Sequence, residues 1–176
     1  MSKNKWLIDP THSEIQFKVK HLMISMVTGH FKKFYLEATT EDDDFATMQD
    51  VLFTIDTASV ETNNKDRDTH LQSADFFDSE VYNQIKFNGI SYYQTGNVGK
   101  LTGNLAIRDV TNIITVDAEF GGIVVDPYGQ TKAGFTINGK INRKEFGLTW
   151  GAFTEAGNVV VGDEIKIHGE IQLIKK

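Results

Sequence analysis

Five histidines, His12, His21, His30, His70 and His168, supply every imidazole available for metal binding or proton transfer. No two of them have the i, i+4 or H-x-H spacing that brings two imidazoles onto one metal ion. Cysteine is absent, which excludes disulfides, thiolate metal ligands and thiol nucleophiles together. The sequence therefore predicts no metal site and no cofactor. His168 falls on the polar face of an alternating segment and reads as a solvated surface residue. His12, just ahead of Ser13, reads as a local capping group. His21 continues an apolar row made by Ile15, Phe17 and Val19. Two readings of it stay open, a buried hydrogen-bonded histidine and a group that meets a ligand.

The densest polar cluster is Asp66-Arg67-Asp68-Thr69-His70. Its neighbours point in different directions around a helix, so it does not converge as an active site. Arg67 and His70 are three apart and share a face, where together they could meet an anionic head group. The competing reading is a structural ion pair with a loop carboxylate. No nucleophile elbow, phosphate loop, dinucleotide fingerprint or paired-carboxylate signature is present. Trp6 and Trp150 read as core or rim packing. These residues predict a protein that is not an enzyme.

The elements that would position them alternate with period two. Ile15, Phe17 and Val19 alternate with Gln16, Lys18 and Lys20, and the same pattern recurs in Phe34–Ala38, Val51–Ile55 and Leu105–Ile107. It returns in Ile114–Phe120, Ala133–Ile141 and Ile165–Leu173. Each such segment has one wet and one dry face, as antiparallel strands do. Charge in Glu41–Asp44, and special backbone residues in Gly96-Asn97, Asp126–Gly129 and Gly157-Asn158, mark the turns. Between Thr62 and Asp78 the alternation stops. A helix is predicted from about Asn64 to Ser73, capped by Asn63, with Asp66 near the positive end of its dipole. His21 to Gly29 breaks the pattern again and is read as a second short helix in preference to an irregular apolar crossing.

The chain of 176 residues suits one domain, residues 1–176, with a core large enough to need no staples. A long meander leaves two strand edges open to pairing, and closing it removes them. The fold class is therefore all-β: a single antiparallel barrel of about eight strands with one or two short helices. Small residues on dry faces, among them Gly103, Ala118, Ala133, Gly139 and Gly169, either fit the taper of such a barrel or leave volume for a guest. The inward set of Phe17, Val19, His21, Phe34, Phe53, Ile107, Val116, Phe135, Ile137 and Ile167 would line that volume. A formal net charge of −6 argues against nucleic acid as a partner. No apolar run reaches the ~18 residues of a membrane span, and no apolar leader segment follows Lys3 and Lys5, so a soluble cytoplasmic protein is expected.

The order of particular residues resembles the YceI-like family over nearly the whole chain. The opening carries Trp6, Ile8-Asp9, His12-Ser13, Ile15, Phe17, Val19, His21 and Met23, then Val27, Gly29 and Phe31. The middle carries Ile55-Asp56, Ser59-Val60, Thr62, Arg67-Asp68, His70-Leu71, Ser73 and Asp75-Phe76-Phe77. Gly103, Leu105, Ile107, Val110-Thr111, Gly134-Phe135, Ile141-Asn142-Arg143 and Phe146-Gly147-Leu148 follow, and Val161–Ile165 with Ile167 closes the pattern. The resemblance implies a lipocalin-like barrel whose lumen holds a polyisoprenoid or similar amphiphile, in a protein that is often a homodimer. Arg108-Asp109 departs from it, standing where relatives often have a small or glycine-containing turn. The expected function is carriage or sequestration of a long apolar ligand such as a polyisoprenoid, an isoprenoid quinone or a fatty acid. The alternatives are an enzyme acting on an amphiphile and a stress-related interaction protein with a packed core.

Overall fold

Amphipathic strands bury their apolar rows by closing the sheet on itself. A computed structural model describes residues 2–157 and 159–176 and shows how the closure is made. Among these residues the strands are β1 (Lys3–Ile8), β2 (Glu14–His21), β3 (Ser25–Phe31), β4 (Phe34–Glu41), β5 (Asp44–Asp56) and β6 (Val60–Glu61). After helix α1 (Lys65–Gln72) come β7 (Gln84–Thr95), β8 (Val98–Ile107), β9 (Val110–Val125), β10 (Thr131–Asn142) and β11 (Val161–Lys175). All pairings are antiparallel. Running β1-β4-β5-β7-β8-β9-β10-β11 and back to β1, they close a barrel of eight strands. β2 pairs with the first part of β11 and β1 with its end, so β2, β3 and β6 prolong one side of the wall beyond the closed part.

The break between β1 and β2 is a short 3₁₀ turn, Pro10–His12, capped by Asp9. Asp9 accepts hydrogen bonds from Thr11 N and Oγ1, from His12 Nδ1 at 2.7 Å and from Lys132 Nζ at 3.0 Å. Burial works against ionisation of this carboxyl. The bonds from His12, Lys132 and Thr11 outweigh it and hold the group well below the usual carboxylate range. The cap is therefore Asp9 and not the expected His12, which instead donates to the capping carboxylate.

One end of the barrel is packed shut with aromatic rings. Phe45 lies 4.7 Å from Trp6 and 5.2 Å from both Phe120 and Phe135, centroid to centroid. Trp6 is fully buried and donates its indole N–H to Thr40 Oγ1 at 2.9 Å, which removes the cost of burying that donor.

Two local expectations are corrected. The helix is capped by Asn64, whose side chain accepts from Arg67 N, while Asn63 sits one residue outside in the left-handed region. No helix covers His21 to Gly29. That stretch is the β2–β3 hairpin, with Val19 opposite Val27 and His21 opposite Ser25, turning through Leu22 and Met23 at positive φ. Its alternation fails because apolar residues stand on both faces of a tip that projects past the closed part of the barrel. Positive φ at Asp42, Gly96 and Gly129 fits the expected turns at those places. Gly157 also has positive φ, and Asn158 beside it lies outside the described residues.

Candidate functional site

Inward rows that converge from a barrel wall must either meet or leave a space. Here they leave a cavity of about 410 Å³ with an almost wholly apolar wall, a size within the range of small-molecule sites. The small dry-face residues do not make this space one by one. A side chain at Gly103 would strike the Phe87 ring, and one at Gly139 would strike Val116. Those glycines admit a neighbour and belong to the fitting of the wall. The void arises because the barrel interior is wider than its apolar rows, as barrels of this strand number allow.

The cavity is a dead end. Phe135, Ala118 and Leu173 bound it on the side of the aromatic plug. At the other end Leu71 on α1 and Phe76 and Phe77 just after it reach over the lumen, and Phe77 meets Phe31 edge-on at 5.8 Å. Lys20 and His21 at the end of β2, together with Leu148, Trp150 and Val160 of the segment before β11, frame the opening beside them.

Most of the inward set stands on this wall. Phe17 and Val19 reach it from β2, Phe53 from β5 and Ile107 from β8. Val116 on β9, Phe135 and Ile137 on β10, and Ile167 on β11 complete the row. Phe34 does not belong to it. It begins β4 and packs against the core from the strand's end, while Leu36 and Ala38 on the same face line the cavity. His21 lines the opening as an exposed residue, not a buried one, since β2 runs past the closed part of the barrel there.

The two head-group candidates are brought together at the opening, each already engaged on one side. Arg67 donates Nε to Thr62 Oγ1 at 2.7 Å and Nη2 to Thr62 O at 2.5 Å. Its Nη1 has no protein hydrogen bond among the described residues. His70 Nε2 lies 2.9 Å from Asp75 Oδ2, and its ring meets Trp150 edge-on at 4.8 Å and Phe76 at 5.1 Å. His168 stays on the outer face, bonded to Asn138 and Glu170. Among the described residues no group of three or more His, Asp or Glu is arranged to hold a metal ion, and no helix is long and apolar enough to cross a membrane.

Two arginines that the alternation did not single out as site residues hold the segments around the opening. Arg143 is buried at the end of β10 and donates to four carbonyls: Gly162 at 2.9 Å, Leu148 at 2.7 Å, Trp150 at 2.6 Å and Val161 at 3.5 Å. Burial pushes its pKa down, partly countered by Asp163 at 3.7 Å. Arg108, in the tight β8–β9 turn at φ +56°, donates to the carbonyls of Ala74 and Phe76 and stands over the Tyr82 ring. A long side chain here reaches across to the segment after α1, which a glycine-type turn would leave untethered. The sequence marked them only through the family pattern, Arg143 as a matching residue and Arg108 as a departure, with no sign of what either would bond.

Comparison with known proteins agrees with this geometry. The family model for the YceI-like domain matches residues 6–173. A UPF0312 protein of Staphylococcus epidermidis is 36% identical over 169 residues, covering 96% of each chain. The crystal structure of a YCEI protein of Campylobacter jejuni superposes with a TM-score of 0.77 at 35% identity, covering 89% of this chain and 90% of that one. A domain from Saccharophagus degradans, described as polyisoprenoid binding, shares the fold with a TM-score of 0.71 at 12% identity, covering 97% and 98%.

Proposed function

The chain belongs to the family of YceI-like domains, and from that premise we propose that its barrel binds the hydrocarbon chain of an amphiphile, for carriage or sequestration and without chemistry on it. The observation that carries this reading is the apolar cavity of about 410 Å³, closed by aromatic rings at one end and opening beside α1 at the other. Such a space offers water few polar partners, so its natural occupant is apolar. Each CH₂ taken from water contributes about 0.8 kcal/mol, so a chain several carbons long binds without a polar anchor. The ligand class is a polyisoprenoid, an isoprenoid quinone or a fatty-acid-like chain. The fold shared with a polyisoprenoid-binding domain supports the first of these. A charged head would lie at the opening, within reach of Arg67 Nη1 and His70.

The test is native mass spectrometry of the purified protein, followed by solvent extraction and identification of what is released. A prenyl, quinone or acyl compound at one per barrel is the expected result. A barrel that is empty, and stays empty across a lipid panel, contradicts the proposal and favours a packed interaction protein.

A further inference from the structure

β-Turns with both central residues at positive φ are normally made by Asn, Asp and Gly, because larger side chains crowd the backbone there. The β2–β3 turn has Leu22 at φ +53° and Met23 at φ +58°, closed by a bond from Ile24 N to His21 O at 3.2 Å. Both positions carry large apolar side chains at a conformational cost; Leu22 is half-buried, but Met23 gains little burial in return. Met23 is 50% exposed, Ile24 83% and Met26 40%. Leu22 N is bonded to Val160 O, which ties the tip to the segment carrying Phe153, itself 72% exposed. The apolar tip therefore stands beside the opening of the cavity.

Behind the tip the surface is cationic. From Ile15 to Leu36 the chain has no acidic residue but contains Lys18, Lys20, Lys32 and Lys33, of which Lys32 is paired with Glu61, in a protein whose net charge is −6. Lys18 and Lys20 are exposed on the outer face of β2. Lys18 sits directly opposite Lys166 on β11, and Lys166 directly opposite Lys140 on β10. Like charges facing each other across strands destabilise a sheet, so this row calls for an external anion. The nearby acids Asp163 and Glu164 are taken up by Lys144 and Lys140. Lys20 pairs with Met26, three residues behind Met23, or about 10 Å at the rise of a strand. An apolar element sunk about 5–10 Å into the interface between head groups and acyl chains would bring Lys20 to the head groups.

We infer that the β2–β3 hairpin docks the protein on an anionic lipid bilayer, with Leu22, Met23 and Ile24 inserted, Met26 beside Lys20 at the boundary, and Lys18, Lys20 and Lys166 against the head groups. The docking does not depend on what fills the lumen. Its use, passing a ligand between membrane and cavity, rests on the proposed function. A narrow turn tip suits insertion better than a protein partner, for which a stable interface buries about 800 Å² on each side. The competing occupant is a second copy, since the outer edge of β3 is paired only at His30 and Phe31 among the described residues.

The experiment is flotation of delipidated protein with vesicles of pure phosphatidylcholine and of phosphatidylcholine with phosphatidylglycerol at 3:1, in low and high salt, alongside sedimentation of the protein alone. Partition onto the phosphatidylglycerol vesicles about tenfold stronger than onto pure phosphatidylcholine, and weakened by salt, is expected. The double variant Leu22→Asn/Met23→Gly makes the preferred turn and keeps the fold, and it should lose the binding. The double variant Lys18→Glu/Lys20→Glu should lose it at least about tenfold. Absence of binding to anionic vesicles, or binding untouched by the turn variant, overturns the inference. So does a dimer that the turn variant splits while no vesicle binding is seen. Ligand content measured separately by mass spectrometry keeps this result distinct from the fate of the lumen proposal.

Discussion

Replacing Arg143 by methionine keeps the length of the side chain and removes the donors that hold Gly162, Leu148 and Trp150 at 2.9, 2.7 and 2.6 Å. A hydrogen bond to a charged group contributes about 1.5–3 kcal/mol. Three such bonds exceed the net effect, because burying the guanidinium has its own cost, which methionine does not have. Each buried carbonyl left without its donor costs about 1–3 kcal/mol, so with three affected and the guanidinium burial cost removed the net loss is about 3–5 kcal/mol. At about 2–4 °C per kcal/mol for a chain of this size, the melting temperature should fall by roughly 10 °C. The loss should also be local. Leu148, Trp150 and Val160 frame the cavity opening, so amide exchange across 148–160 should rise more than in β8 or β9. Arg143→Lys should fall between, since one ammonium cannot span four carbonyls. The assay is thermal unfolding by circular dichroism with hydrogen exchange read by mass spectrometry. A melting temperature within about 1 °C of the parent and unchanged exchange in 148–160 would mean that Arg143 does not hold this segment.

Other perturbations test other parts of the structure. Phe45→Ala removes the ring at the centre of the plug and should cost about 3–5 kcal/mol in denaturant unfolding. Leu22→Asn/Met23→Gly relieves two left-handed residues and should stabilise the protein by about 1–3 kcal/mol, seen as a higher unfolding midpoint. Because the folded pKa of Asp9 is depressed, its contribution is present above the ordinary carboxylate pKa and lost as pH falls below it. Asp9→Asn should therefore be less stable than the parent at pH 7, and the difference should shrink in melts run towards pH 2–3. Arg67→Met should weaken a carboxylate amphiphile about tenfold in titration calorimetry while leaving the alcohol of the same chain length nearly unchanged.

The barrel was legible because each buried face repeats every second residue, as in Ile165, Ile167, Gly169, Ile171 and Leu173 on β11. β7 escaped the pattern for a physical reason. A register shift between Gly89 and Ser91 swaps its faces midway, so Ile85 and Phe87 point in before it and Tyr92 packs on the core after it, while Tyr93 is exposed. The β2–β3 hairpin was misread because Leu-Met is not a turn signal, and the structure accepts the strain that Asn-Gly would avoid. The cavity wall followed from alternation, but where each row stops did not, which is why Phe34 falls off the wall. Arg143 and Arg108 act through backbone carbonyls distant in sequence, and such partners leave no spacing to read.

A lumen that takes a hydrocarbon chain must respond to the length of that chain. Binding of straight-chain alcohols of increasing length to delipidated protein should tighten by about 0.8 kcal/mol, or about fourfold in Kd, for each added CH₂ until the cavity is full. Beyond that length the affinity should level off, because the aromatic plug closes the far end. No binding at any length, or an affinity indifferent to length, would contradict the account.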